Sequence, residues 1–147
     1  MTDVYSFKPL MIGRPYRIEY IHSYGEVSQF FLGLKEQKLY ASRCPSCGAT
    51  WLPPRRDCGR CGAKCHWFEA PTEGKVHTYS VLHFAGEAFL NDLPFILVYV
   101  EFPGIDTVFL SRLVGVKPED IVIGMPVKAR FKRLVEWNAN DVYFVPV

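Results

Sequence analysis

The sequence predicts a mainly β chain with a short N-terminal helical segment, a four-cysteine metal ribbon and, after it, a five-stranded barrel. Three observations carry that prediction. Two Cys-x-x-Cys-Gly pairs, Cys44/Cys47 and Cys58/Cys61, stand ten residues apart. The half that follows is a series of β-branched and aromatic runs separated by turn residues. Ahead of the cysteines, one stretch places apolar residues at steps of three and four.

The 147 residues are 49% hydrophobic and 22% charged, enough apolar material for a packed core and too much for a disordered chain. The longest strongly apolar run, Leu93 to Val100, is far shorter than the roughly 20 residues of a membrane-spanning helix. The first twenty residues hold Lys8, Arg14 and Arg17 among prolines and tyrosines and lack the apolar stretch of a secretory signal, so a cytoplasmic location is expected. In a reducing compartment paired cysteines read as metal ligands before disulfides. The formal charge is +2. One divalent ion held by four thiolates brings it to zero, so the chain is not strongly basic.

Taken in order, residues 1–15, with Pro9, Gly13 and Pro15, read as an extended arm. From Arg17 to Lys38 the recurrence of Ile18, Ile21, Val27, Phe30, Phe31 and Leu34 predicts two short helices or one kinked one, with Gly25 and Gly33 as the weak points. The stripe Phe30, Phe31 and Leu34 faces either the chain's own core or a partner protein.

In the ribbon, two residues between cysteines let both sulfurs point at one ion, and the glycine after each pair allows the tight turn. Cys44, Cys47, Cys58 and Cys61 together offer four thiolates. These fill a tetrahedron and leave no position for an activated water, so the ion is expected to be structural Zn²⁺, although four sulfurs also suit a rubredoxin-type iron. Cys65 is expected to be a buried free thiol and His66 an ordinary strand residue.

Beyond the Pro71–Gly74 boundary, strands are expected over Val76–Phe84, Phe95–Phe102, Thr107–Val114, Val127–Arg133 and Val142–Val145, with a turn at Pro103-Gly104 and a short helix in Lys117–Ile121. Five strands with a helix between the third and fourth fit a Greek-key barrel of the OB type, among other five-stranded barrels. The expected units are residues 1–38, 39–72 and 73–147.

No G-x-S-x-G elbow, phosphate-binding Gly-Lys-Ser/Thr loop or His-Glu-x-x-His motif is present. His22, His77 and His83 are scattered, and Asp57 offsets Arg55 and Arg56. OB folds and zinc ribbons also bind nucleic acid, and Tyr79, Phe84, Tyr99, Phe109 and Trp137 could stack bases. Charge argues against that reading. Residues 1–70 are net +4, but residues 71–147 are net −2, and Lys128, Arg130, Lys132 and Arg133 form the only basic stripe there, the usual pattern of a solvated strand face. An iron-dependent electron carrier would leave the barrel without a role.

The combination of Phe30-Phe31-Leu32-Gly33-Leu34, Arg43-Cys44-Pro45-Ser46-Cys47-Gly48, Pro53-Pro54-Arg55 before Cys58-Gly59-Arg60-Cys61, Trp67, Gly74 to Ser80, Lys117 to Ile121 and Ile123 to Val127 resembles an acyl-CoA-associated family with a rubredoxin-like zinc ribbon and an OB fold, catalogued as domain of unknown function thirty-five. The resemblance implies a non-catalytic accessory or scaffold subunit of a thiolase-like enzyme. The partners that the resemblance implies are acetoacetyl-CoA thiolase with hydroxymethylglutaryl-CoA synthase, as in archaea, or a thiolase-like aldolase or acyltransferase, as in bacteria. It also implies that the chain helps enclose CoA. Arg55 and Arg56 are the candidates for its phosphates, which need cationic donors.

Overall fold

The computed structural model describes residues 9–132 and 141–147. Residues 9–24 run without regular structure. A 3₁₀ turn, Gly25–Val27, then leads into the α-helix α1, Ser28–Lys35. The helix expected over Arg17–Lys38 is therefore confined to the second half of that span. Pro15 and the glycines flank the earlier part, whose Tyr20 and Ile21 are exposed, so it has no buried face to supply what a short helix lacks on its own.

Gly33 does not break α1. A Cβ built on it would lie 2.5 Å from Tyr40 Cε2, so this glycine lets the helix lie directly on the Tyr40 ring. Phe30 and Leu34 are buried, and Phe30 packs near Phe109 at a ring separation of 6.3 Å. Both side chains thus belong to the chain's own core and are not free to meet a partner, which corrects the alternative held open for this stripe. Phe31 is half-buried and stacks on Tyr24.

The ribbon is a three-stranded antiparallel sheet in the order β2-β1-β3, formed by β1 (Tyr40–Arg43), β2 (Thr50–Trp51) and β3 (His66–Glu69). The second unit is a closed barrel in the order β4-β5-β6-β8-β7. Its strands are β4 (Glu73–Leu82), β5 (Phe95–Glu101), β6 (Phe109–Leu113), β7 (Pro126–Phe131) and β8 (Val142–Pro146). All pairs are antiparallel except β6 with β8, which meet in parallel and complete the ring. A register shift between Val76 and Thr78 bends the long strand β4, so that its start pairs with β7 while the rest follows β5. A single 3₁₀ turn, Pro118–Asp120, occupies the segment between β6 and β7.

Alternation builds the barrel interior. Ile96, Val98 and Val100 of β5, Phe109 and Leu113 of β6, Val127 and Ala129 of β7, and Val142 and Phe144 of β8 are buried together. The one polar residue among these positions, Ser111, donates to the Val142 carbonyl at 2.6 Å. Leu39, Ala41 and Leu52 of the ribbon and Phe30 and Leu34 of α1 join the same core.

The strand forecasts hold with shifted ends. His83 and Phe84 fall beyond β4, while Phe109 points into the core and cannot stack a base. Arg133 and Trp137 lie outside the described residues.

Candidate metal centre

The two cysteine knuckles share one local geometry. Cys44 N–H donates to the Ala49 carbonyl at 2.8 Å and Gly48 N–H to the Cys44 carbonyl at 3.0 Å. In the second knuckle Cys58 N–H donates to Ala63 at 2.8 Å and Gly62 N–H to Cys58 at 2.9 Å. Gly48 and Gly62 both sit at φ +76°, where a side chain would be strained, which is why each pair ends in glycine.

The turns bring the sulfur atoms of Cys44, Cys47, Cys58 and Cys61 within 4.8 Å of one another. The two closest approaches are Cys44 to Cys61 at 3.4 Å and Cys47 to Cys58 at 3.5 Å. A tetrahedron with metal–sulfur bonds of about 2.3 Å has edges of about 3.8 Å, so the cluster is of the right size for one ion. Backbone N–H groups of Cys47 and Arg60 point at the sulfurs of Cys44 and Cys58. Soft thiolate donors in this arrangement suit a structural metal.

The thiols do not ionise alike. The Cys47 N–H lowers Cys44, against the opposing effect of burial. Burial raises Cys58, but the N–H groups of Arg60 and Cys61 and the neighbouring thiols outweigh it and bring it down to about 6. The Ala49 N–H would lower Cys47, yet the surrounding thiols and burial push it up to about 12. Cys65 is buried behind the cluster, where burial and the nearby sulfurs raise it, and it is not one of the clustered four.

The two arginines singled out for CoA differ in their surroundings. Arg55 stacks over the Trp51 ring at 4.5 Å, beside Gly59. Arg56 is engaged by Glu26 at 3.1 Å and Asp57 at 3.5 Å. His66 is an exposed residue of β3, and His77 pairs with Glu101 at 3.0 Å on the outside of the barrel.

A set of polar residues that the sequence does not signal joins ribbon to barrel. Thr50 N–H donates to the Asp106 carboxylate at 2.9 Å, and Asp106 N–H returns a bond to the Thr50 hydroxyl at 2.8 Å. Leu52 N–H donates to the Thr107 hydroxyl at 2.8 Å, which donates in turn to the Leu52 carbonyl at 2.9 Å. Arg60, in the second knuckle, lies 4.0 Å from the same Asp106 carboxylate. The hydrogen-bonded partners are more than fifty residues apart, so no local pattern reveals them.

Comparison with known proteins places this geometry. Residues 33–64 match the family model of the ChsH2 rubredoxin-like zinc ribbon domain, and residues 67–132 match that of the ChsH2 C-terminal OB-fold domain. A DUF35 domain-containing scaffold protein of Methanocaldococcus jannaschii is 36% identical over 106 residues, covering 71% of this chain and 74% of that protein. The chain belongs to the DUF35 family. A second DUF35 domain-containing scaffold protein, from Methanothermobacter thermautotrophicus, is 31% identical over 106 residues, 71% of this chain and 79% of its own. A probable enoyl-CoA hydratase alpha subunit of Thermomonospora curvata is 33% identical over 114 residues, which are 76% of this chain but 33% of that longer protein.

Among solved structures, a chain of the Ltp2-ChsH2(DUF35) aldolase superposes with a TM-score of 0.67 at 27% identity, covering 86% of this chain and 98% of the other. A DUF35 protein of unknown function from Sulfolobus solfataricus shares the fold at a TM-score of 0.62 and 23% identity, over 84% and 87% of the two chains. Among the described residues, no helix of this DUF35 chain is long and apolar enough to cross a membrane.

Proposed function

We propose that this DUF35 chain is a non-catalytic accessory subunit of a thiolase-like acyl-CoA enzyme, with Zn²⁺ held by Cys44, Cys47, Cys58 and Cys61 as part of its fold. The observation that carries the reading is the superposition, over nearly the whole of the other chain, on a chain from the structure named Ltp2-ChsH2(DUF35) aldolase. The scaffold names of two relatives and the acyl-CoA name of a third support it. When bound, the ion supplies cross-linking of the two knuckles and no open coordination position. The partner is a thiolase-fold enzyme, joined in some assemblies by a hydroxymethylglutaryl-CoA synthase.

The partner contact moves off Phe30 and Leu34 and onto the arm. Leu10, Met11, Tyr16, Tyr20 and Ile21 are each at least three-quarters exposed, and Leu32 shows on the outer side of α1. Large apolar side chains left exposed in such number along one segment support a role for it in an interaction site. Of the two arginines, Arg55 is the better placed for a CoA phosphate, because a guanidinium stacked on an indole keeps its in-plane N–H donors available while Arg56 is spent on two carboxylates.

Affinity purification of the tagged chain from its host, with identification of co-purifying chains and metal analysis, tests the reading. Recovery of a thiolase-fold enzyme with about one zinc per chain is expected, and the enzyme should be lost when Tyr20 and Ile21 are both changed to serine. Recovery of nucleic acid without such an enzyme, or of iron in place of zinc, would overturn the corresponding part.

A further inference from the structure

The ribbon sheet has an open edge at β3, whose one neighbour in the order β2-β1-β3 is β1. Ala70 N–H donates to the Leu39 carbonyl at 2.7 Å, just beyond a register that sets Ala41 against Phe68 and Arg43 against His66. Bonded pairs alternate along an antiparallel ladder, so after 39 with 70 come 41 with 68 and 43 with 66. The N–H and C=O groups of Trp67 and Glu69 therefore point away from β1. Among the described residues no backbone partner takes them up, and such a row is a template for one more strand.

The head of this edge lies beside the root of the N-terminal arm. Cys65, two residues before Trp67 and so facing the same way, donates its N–H to the Arg56 carbonyl at 2.7 Å. The Arg56 side chain in turn holds Glu26, in the 3₁₀ turn that residues 9–24 lead into, at 3.1 Å. The arm is itself unpaired backbone. Among the described residues no backbone hydrogen bond holds residues 9–22. Tyr16, Ile18, Tyr20 and Ile21 are aromatic or β-branched, the types that strands favour. The Arg17 guanidinium pairs with the Glu19 carboxylate, a contact between i and i+2 that an extended backbone makes and a helix does not. At about 3.3 Å per residue, the four residues of β3 need about 13 Å of partner strand, and Tyr16 to His22 supply about 23 Å.

We propose that the arm docks on this edge as a fourth strand of its own ribbon, a strap that closes over β3. Receding from Glu26, the arm passes Trp67 before Glu69, so it runs antiparallel to β3 and exchanges N–H···O bonds with both residues. Ordering the arm costs more backbone entropy than so few bonds return. The strap therefore stands open in the free chain, and a surface that buries its outward side chains shifts it to closed. Only the identity of that surface, the partner enzyme, rests on the accessory-subunit reading.

The test traps the closed strap in the full-length, zinc-loaded chain, with the ion occupying the ribbon thiols and no enzyme present. Glu69→Cys is combined with single cysteine substitutions running from Tyr16→Cys to His22→Cys, and disulfide formation in a glutathione buffer is followed by peptide mass spectrometry. Trapping accumulates a state that is only briefly populated. Rates are expected to alternate along the arm, with every second position at least tenfold faster than those between. His66→Cys as the anchor, whose side chain leaves the other side of β3, should select the complementary positions. Both anchor residues are exposed. Rates that fall smoothly with distance along the arm, or the same positions chosen by both anchors, would reveal a loose tether and overturn the strap. Disulfides between chains that grow with protein concentration would assign the edge to a second copy and overturn it equally. Failed co-purification of an enzyme sinks only the accessory reading, and trapping without alternation sinks only the strap.

Discussion

Cys58 shows how a single residue can fix a whole unit. The ribbon sheet has strands of two to four residues, too little surface to hold together alone, whereas a structural zinc contributes about 10–16 kcal/mol in finger peptides. Cys58→Ser or Cys44→Ser is therefore expected to abolish metal binding and unfold the ribbon. The check is metal content together with amide exchange across residues 40–69, and a wild-type exchange pattern in a metal-free variant would refute it. Gln37 follows α1 at φ +61°, and Gln37→Gly should stabilise the fold by about 0.5–1 kcal/mol by relieving the left-handed backbone, read as a thermal shift of about 2–4 °C per kcal/mol. At this scale the cysteines were legible because their chemistry is local, two residues between ligands and a glycine after them. Thr50 and Asp106 were not, since nothing near either one in the chain announces a partner fifty-six residues away.

Elements were legible in proportion to how fully tertiary packing used their pattern. The β-branched and aromatic run of β5 and the two-residue alternation of β7 marked their positions, because one face of each fills the barrel. The three- and four-residue steps between Ile18 and Tyr24 have the spacing of a helix but no surface beneath them, and the chain runs there without regular structure. Phe30 and Leu34, with the same spacing, lie over Phe109 and the ribbon, and there the helix forms. Helix-to-ribbon contact depends on Gly33. Gly33→Ala should gain helix propensity yet destabilise the chain by about 1–3 kcal/mol, because the new methyl meets the Tyr40 ring. Chemical denaturation of the variant checks the sign, and a more stable Gly33→Ala protein would show that the ring moves aside freely.

Ribbon and barrel act as one body through the contacts between Thr50, Leu52, Asp106 and Thr107. The Thr50 N–H holds the Asp106 carboxyl below its ordinary value against the opposing effect of burial, with help from the Thr50 hydroxyl, Arg60 and Arg43. A carboxyl depressed in the folded state adds stability above its unfolded pKa of about 3.9, and that stability is lost as pH falls through the folded value. Urea midpoints measured at pH 7 and near pH 3 should therefore fall further for the native chain than for Asp106→Asn; equal losses would remove Asp106 from the acid response. The overall plan, ribbon then barrel, could be read along the sequence, but the joint between them could not, because it is made of long-range side-chain bonds to backbone.

That joint also changes what the protein presents to its own copies. β2 is an outer strand of the ribbon sheet, and the outward N–H of Thr50 with the N–H and C=O of Leu52 just after it would otherwise be a template for any extended segment drifting past. Asp106 and Thr107 occupy that rail from within the same molecule. A crowded cell full of these chains finds the ribbon already closed on this side, and self-association by strand addition has to begin somewhere else.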